Sequence, residues 1–282
     1  MESGKQKLTI SIKQVIASKS SNLAKYTPNF IINAIKRIIH EDEINFILKK
    51  NCDKTGVDFA NGCLKMLNVS CNIKYINRES ISKTGRYIFA SNHPLGGLDG
   101  LILISELGNE FGDIKFIVND LLMNIKPLEP IFVPVNKVGK MSKEYGELIN
   151  KAYASQSDIL YFPAGLCSRL INGQITDPKW QKNFLRQALK YNRDIVPMYF
   201  EGKNSMFFYR LAKFRKFIGT KFNIEMIFLP NEMFKQKNSI FDVVIGKPIT
   251  AESLKNSIAQ GKSIDELCLE IRLKSYELKM FI

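Results

Sequence analysis

The chain has 282 residues, 45% hydrophobic and 24% charged, a balance that excludes a disordered polymer and suits one α/β domain with a large core. Its 41 Lys and Arg against 27 Asp and Glu leave a formal net charge of +14, which predicts attraction to a polyanion, either nucleic acid or anionic lipid headgroups. Five cysteines (Cys52, Cys63, Cys71, Cys167 and Cys268) form no C-x-x-C pair, and with only two histidines they argue against a zinc site and for reduced thiols in the cytoplasm.

The N-terminus, Met1 to Lys7, is polar and lacks the apolar stretch of a secretory signal. No run approaches the roughly 18–20 apolar residues of a spanning helix, so any membrane contact is predicted to be lateral. Residues 8–68 read as helical. Phe30, Ile31, Ala34, Ile35, Ile38 and Ile39 recur at helical spacing, with Lys36, Arg37 and His40 between them and Pro28 near the start. Further helical runs are expected at 43–48 and 59–67.

From residue 69 the pattern changes. Short apolar runs at 69–76, 87–91, 115–118, 131–135, 159–162, 195–200, 222–228 and 241–245 predict strands. Helices are predicted between them at 101–110, 142–155, 179–191, 206–218 and 264–279. This alternation predicts a single α/β domain over 69–282 with a helical extension over 1–68.

Two segments carry the chemistry. Ser91-Asn92-His93-Pro94-Leu95-Gly96-Gly97-Leu98-Asp99-Gly100 follows one predicted strand and precedes an apolar helix, the place where open α/β sheets bind ligands. His93 is the natural general base at neutral pH, and Asp99 can fix its tautomer and stabilise the imidazolium. Positions six apart on a helix lie about 240° around, so the two side chains meet only if the chain turns at Gly96-Gly97. The plainer alternative makes His93 a turn residue and Asp99 a helix cap. The second segment, Phe162-Pro163-Ala164-Gly165-Leu166-Cys167-Ser168-Arg169, offers turn amides, a hydroxyl and a guanidinium fork to an anionic group. Cys167 is a rival nucleophile, although a cysteine in such a turn is more often a buried small hydrophobe.

Taken together and in this order, the segments resemble the glycerolipid acyltransferase (PlsC-like) superfamily, whose first motif is Asn-His, four residues, Asp and whose third reads Phe-Pro-Glu-Gly-Thr-Arg-Ser. Residues 119–137 resemble its second motif, and Asp194-Ile195-Val196-Pro197-Met198-Tyr199-Phe200-Glu201-Gly202 its fourth. The likeness is greatest to the bacterial hemolysin-like, lyso-amino-acid-lipid O-acyltransferase branch. It implies a mixed, mostly parallel sheet covered by helices and transfer of a fatty acyl group from acyl-CoA or acyl carrier protein to a lysolipid hydroxyl. No cofactor is implied beyond that co-substrate. His93 and Asp99 would be catalytic. Asn92, Gly96, Gly97, Asn136, Lys137, Pro163, Gly165, Ser168 and Arg169 would bind substrate, with the amides of Gly96, Gly97 or Gly165 candidates for the oxyanion.

The departures bear on the acceptor. Five residues separate His93 from Asp99, Ala164 replaces the family's Glu, and Arg169 falls two positions after the usual Arg. Those two family residues are associated with a glycerol-phosphate acceptor, so an amino-acid or zwitterionic lysolipid is at least as suitable here. The basic, aromatic stretches at 28–40 and 206–217 suit a headgroup interface. With the lipid substrate they predict a peripheral or monotopic enzyme on the cytoplasmic face of the cell membrane, residues 1–68 forming a membrane-associating region. A catalytically silent membrane-binding relative is the alternative. A nucleic-acid-binding protein is disfavoured because no helix-turn-helix, zinc finger or RNP-like pattern is present. The G-x-S-x-G elbow and the phosphate-binding glycine loops are also absent from the sequence.

Overall fold

A computed structural model describes residues 9–14, 27–135, 142–220 and 223–282. Among the described residues, α1 (Asn29–Ile38), α2 (Glu41–Lys50) and α3 (Gly56–Leu67) precede a seven-stranded sheet. In chain order the sheet and its connections are β1 (Ser70–Tyr75), β2 (Tyr87–Ser91), α4 (Leu98–Phe111), β3 (Ile114–Asn119), β4 (Phe132–Val135), α5 (Lys143–Ala154) and β5 (Asp158–Tyr161). A small hairpin of β6 (Arg169–Ile171) and β7 (Gln174–Thr176) follows, then α6 (Asn183–Tyr191), β8 (Asp194–Phe200), α7 (Met206–Phe217), α8 (Leu229–Lys235), β9 (Ile240–Ile245), α9 (Ala251–Ala259) and α10 (Ile264–Glu277).

The strand order is β1-β9-β8-β2-β5-β3-β4. Every neighbouring pair is parallel except β8 and β9. The expected mixed, mostly parallel sheet is therefore present. β2 lies at its centre and all five of its residues are buried, which is why that segment reads as a continuous apolar run rather than an alternating one. Its side chains still alternate: Phe89 joins the core beneath α3 and α4, while Ile88 and Ala90 join the core beneath α5, α6 and α10. α3 contributes Phe59, Ala60, Leu64 and Leu67 to the first of these cores, so this helix is built into the sheet's packing.

The run at 222–228 departs from expectation. Ile224–Phe228 is a 3₁₀ turn leading into α8, not a strand. The reason is tertiary: Glu225, in the middle of the apolar run, is fully buried between the guanidinium groups of Arg169 and Arg215, each 3.0 Å away. The β6–β7 hairpin was not anticipated, although Asn172-Gly173 supplies the two left-handed residues (φ 49° and 81°) that a tight hairpin turn needs. α8 and α9 were likewise unpredicted. Both are short, and a single turn or two of helix leaves little periodicity to detect.

Candidate active site

β8, β2 and β5 are adjacent and parallel, so their C-terminal ends open on the same edge of the sheet. At the end of β2, the buried Asn92 bridges to β8: its Nδ2 donates to the Phe200 carbonyl (2.9 Å) and its Oδ1 accepts from the Phe200 N–H (2.7 Å). Asn92 thus acts as an extra rung of the ladder and delivers the next residue, His93, over the sheet's edge.

The His93 Nδ1 lies 2.9 Å from Asp99 Oδ2. The additional residue in the spacer is absorbed by the turn, where Gly96 adopts φ +80°. A side chain at Gly96 would also collide with Leu229, whose Cδ2 lies 2.8 Å from the position of a Cβ. The turn wraps Asp99 completely. The N–H groups of Leu95 (2.9 Å) and Gly96 (3.4 Å) donate to Oδ2, and those of Gly97 (3.0 Å) and Gly100 (2.9 Å) donate to Oδ1. Full burial opposes ionisation of Asp99, but the His93 charge and hydrogen bond, with the amides of Leu95 and Gly100, hold its carboxyl below the usual carboxylate range. Its place in the first turn of α4 adds the favourable end of the helix dipole.

An ionised Asp99 can only accept, so Nδ1 carries the ring proton and Nε2 is left as the basic nitrogen. Among the described residues Nε2 has no hydrogen-bond partner. The ring stacks on Phe162 (centroids 4.0 Å apart, planes 16° apart), and the side chain is 16% exposed. A base held in one tautomer, packed on one face and open at the opposite nitrogen is equipped to take a proton from a hydroxyl.

The glycine turn does something other than the expected substrate contact. The amides of Gly96 and Gly97 are directed at Asp99, and the Gly165 amide donates to the Phe162 carbonyl (3.0 Å). For Gly96 and Gly97 the reason is that a carboxylate buried this deeply must be saturated with donors, and the nearest are these two amides with those of Leu95 and Gly100.

In the second segment Pro163 is buried and its carbonyl accepts from the Gln181 N–H (2.8 Å). The Ser168 N–H donates to the His93 carbonyl (2.7 Å), bringing the two motifs into contact. Arg169 is nearby but does not present a free fork. Its Nη2 donates to Glu225 Oε1 (3.0 Å), and its Nη1 donates to the Cys167 carbonyl (2.8 Å) and Sγ (2.9 Å). Asn136 and Lys137 lie outside the described residues.

Sequence reading missed Asp177, which is buried just beyond β7. Its Oδ1 accepts from the Ser168 hydroxyl (2.6 Å) and the His93 N–H (3.2 Å), and its Oδ2 accepts from Trp180 Nε1 (2.9 Å). No motif marked it, because it stands 84 residues from His93 and only the hairpin returns it there.

A hydrogen-bonded His–Asp pair at the C-terminal edge of a mostly parallel sheet can activate a hydroxyl for acyl transfer. The chain matches the model described as "Acyltransferase" over residues 14–282 and belongs to that family. The resemblance drawn from the Asn-His and Phe-Pro blocks is thereby confirmed: this is an acyltransferase. A lyso-glycine lipid O-acyltransferase of Bacteroides thetaiotaomicron is 43% identical over 249 residues, 88% of this chain and 91% of that one. A lyso-glycine lipid O-acyltransferase of Phocaeicola vulgatus is 42% identical over 241 residues, covering 85% and 86%. A solved structure of the 1-acyl-sn-glycerophosphate (LPA) acyltransferase PlsC from Thermotoga maritima aligns with 89% of this chain and 92% of its own, at 15% identity and a TM-score of 0.45, a loose likeness.

The surroundings of Cys167 do not suit a nucleophile. The residue is fully buried among Phe208, Tyr209 and Leu229, and burial pushes its thiol up to about 11. Cys167→Ala is expected to retain most acyl-transfer activity, and the native thiol to resist alkylation at neutral pH. Rapid labelling accompanied by inactivation would contradict this assignment.

Proposed function

We propose that the chain transfers a fatty acyl group from a thioester, acyl-CoA or acyl carrier protein, to the hydroxyl of a lyso-glycine lipid. His93 Nε2 takes the proton of the acceptor hydroxyl, the freed oxygen attacks the thioester carbonyl, and the thiol leaves with the proton from the imidazolium. Asp99 holds the ring and stabilises its cationic form. The reading is carried by the 2.9 Å His93–Asp99 contact, with Nε2 left open beside Phe162. The acceptor class is supported by the names of the two relatives. It is supported also by the third block, where Ala164 replaces an acid and Arg169 is neutralised by Glu225, leaving a phosphate headgroup without that arginine. Purified protein given lyso-glycine lipid or lysophosphatidate with an acyl thioester should acylate the first at least about tenfold faster, the size of preference a single lost charged contact produces. Exclusive use of lysophosphatidate would refute the acceptor, and absence of turnover with any lysolipid would make the chain a silent relative.

We assign the membrane contact to α1, within the N-terminal helical region, and to α7, on the cytoplasmic face of the cell membrane; α3 of that region is committed to the core instead. No helix among the described residues is long and apolar enough to cross a bilayer. In α1 only Ile32 is buried, while Phe30 is 73% exposed and Ile31 and Ala34 also face outward. α7 has two faces: Phe208, Tyr209 and Ala212 pack inward, while Phe214 and Phe217 are 60% and 85% exposed beside Arg210, Lys213 and Lys216. Exposed aromatics set among cations suit anionic headgroups, each cation adding about 1 kcal/mol near such a surface. In sedimentation with vesicles containing anionic lipid, F214E/F217E should bind about tenfold more weakly than the native chain. Unchanged binding would remove α7 from the interface.

A further inference from the structure

We propose that Asp177 is a positioning residue for the base: it fixes the main chain of His93, as Asp99 fixes the ring. The inference rests on His93 acting as proposed above, and deepens that site rather than adding another.

The three donors converging on Asp177 are two from its own neighbourhood, the Ser168 hydroxyl and the Trp180 indole N–H, and one from 84 residues away, the His93 N–H. An ionised carboxylate is acceptor-only, so it can serve all three at once. Meanwhile the Ser168 N–H holds the His93 carbonyl at 2.7 Å. Both main-chain polar groups of His93 are therefore taken, one on each side. Asp177 is itself anchored from α10: its N–H donates to the Tyr276 hydroxyl (2.8 Å), and Arg272 Nη2 donates to its carbonyl (3.3 Å).

The geometry separates two tasks. Asp99 selects the tautomer and the rotation of the imidazole, but the distance of Nε2 from an acceptor hydroxyl depends on where the His93 Cα sits. His93 lies beyond the last paired residue of β2, and the Asn92 rung anchors only the residue before it. The Asp177–Ser168 clamp holds the N–H and carbonyl of His93 itself. Displacement of a reacting group by about 1 Å lowers rates on the order of 10²-fold. Burial pushes the Asp177 carboxyl up, and the hydrogen bonds from Ser168, Trp180 and the His93 N–H offset only part of that rise.

The test uses the full chain with Asp177→Asn and, separately, Ser168→Ala. The chain has only two histidines, so the His93 ring can be followed by NMR once His40→Gln has assigned the other signal. With a long-chain acyl-CoA and lyso-glycine lipid, kcat should fall about 10²-fold in Asp177→Asn and about tenfold in Ser168→Ala, with KM for both substrates within about twofold. The His93 ring signals should shift in both variants without substrate present. Folded variants with native kcat and unmoved ring signals overturn the proposal, and Ser168→Ala alone decides if Asp177→Asn does not fold. Activity surviving His93→Ala refutes the base instead, a different result from unmoved ring signals in a chain that depends on His93.

Discussion

His93→Ala should lower acyl transfer by about 10³-fold, within the range a positioned general base supplies, and should leave the chain folded. The side chain removed is partly exposed and its structural contacts are few: one hydrogen bond to Asp99 and one ring stack on Phe162. Asp99 keeps four amide donors in its absence, so no uncompensated charge remains in the core. The loss should fall on kcat rather than on KM, because the imidazole acts on a proton that moves only in the transition state. Rates of thioester turnover with a lysolipid, set beside an unfolding curve, provide the check. A His93→Ala chain that folds and turns over at a native rate would remove the base and, with it, the proposed chemistry.

Asp99→Asn should be nearly as damaging to activity, about 10³-fold, and unlike His93→Ala it should destabilise the protein. An asparagine offers the imidazole an N–H donor in place of an acceptor. Nδ1 then becomes the acceptor, the ring proton moves to Nε2, and the base loses its lone pair toward substrate. The same amide group sets a donor against backbone N–H groups, which costs on the order of 1–3 kcal/mol in a buried site.

The pH dependence has a definite sign. The folded Asp99 carboxyl lies below its ordinary value, so its contribution to stability is fully present above the unfolded value near pH 4. It is lost as the pH falls through the depressed folded value. The native chain should therefore be more stable than Asp99→Asn at pH 7, with the gap narrowing below about pH 4. Denaturant unfolding of both proteins at neutral and acid pH measures this directly. A gap that widens on acidification would contradict the geometry around the carboxylate.

Much of this molecule follows from local patterns in its sequence. Seven of the eight expected strands form the sheet, and the Gly96-Gly97 turn brings His93 to Asp99 as the spacing requires. These features are legible because apolar periodicity and glycine's freedom act over a few neighbouring residues. The run at 222–228 was misread for the complementary reason. Nothing in its immediate neighbours reports that Glu225 will meet Arg169 from 56 positions away, and a buried carboxylate between two guanidiniums fixes the chain in a turn.

The sequence by itself determined the α/β class and the family, and it singled out His93 and Asp99 as a pair, since each is carried by residues close together in the chain. Only the tertiary structure decided that the glycine amides surround Asp99, that Arg169 is occupied by Glu225, and that Asp177 reaches the main chain of His93. The physical reason is the same in all three cases. A buried polar group must find partners wherever packing brings them, and packing joins segments whose separation along the chain carries no periodic signal.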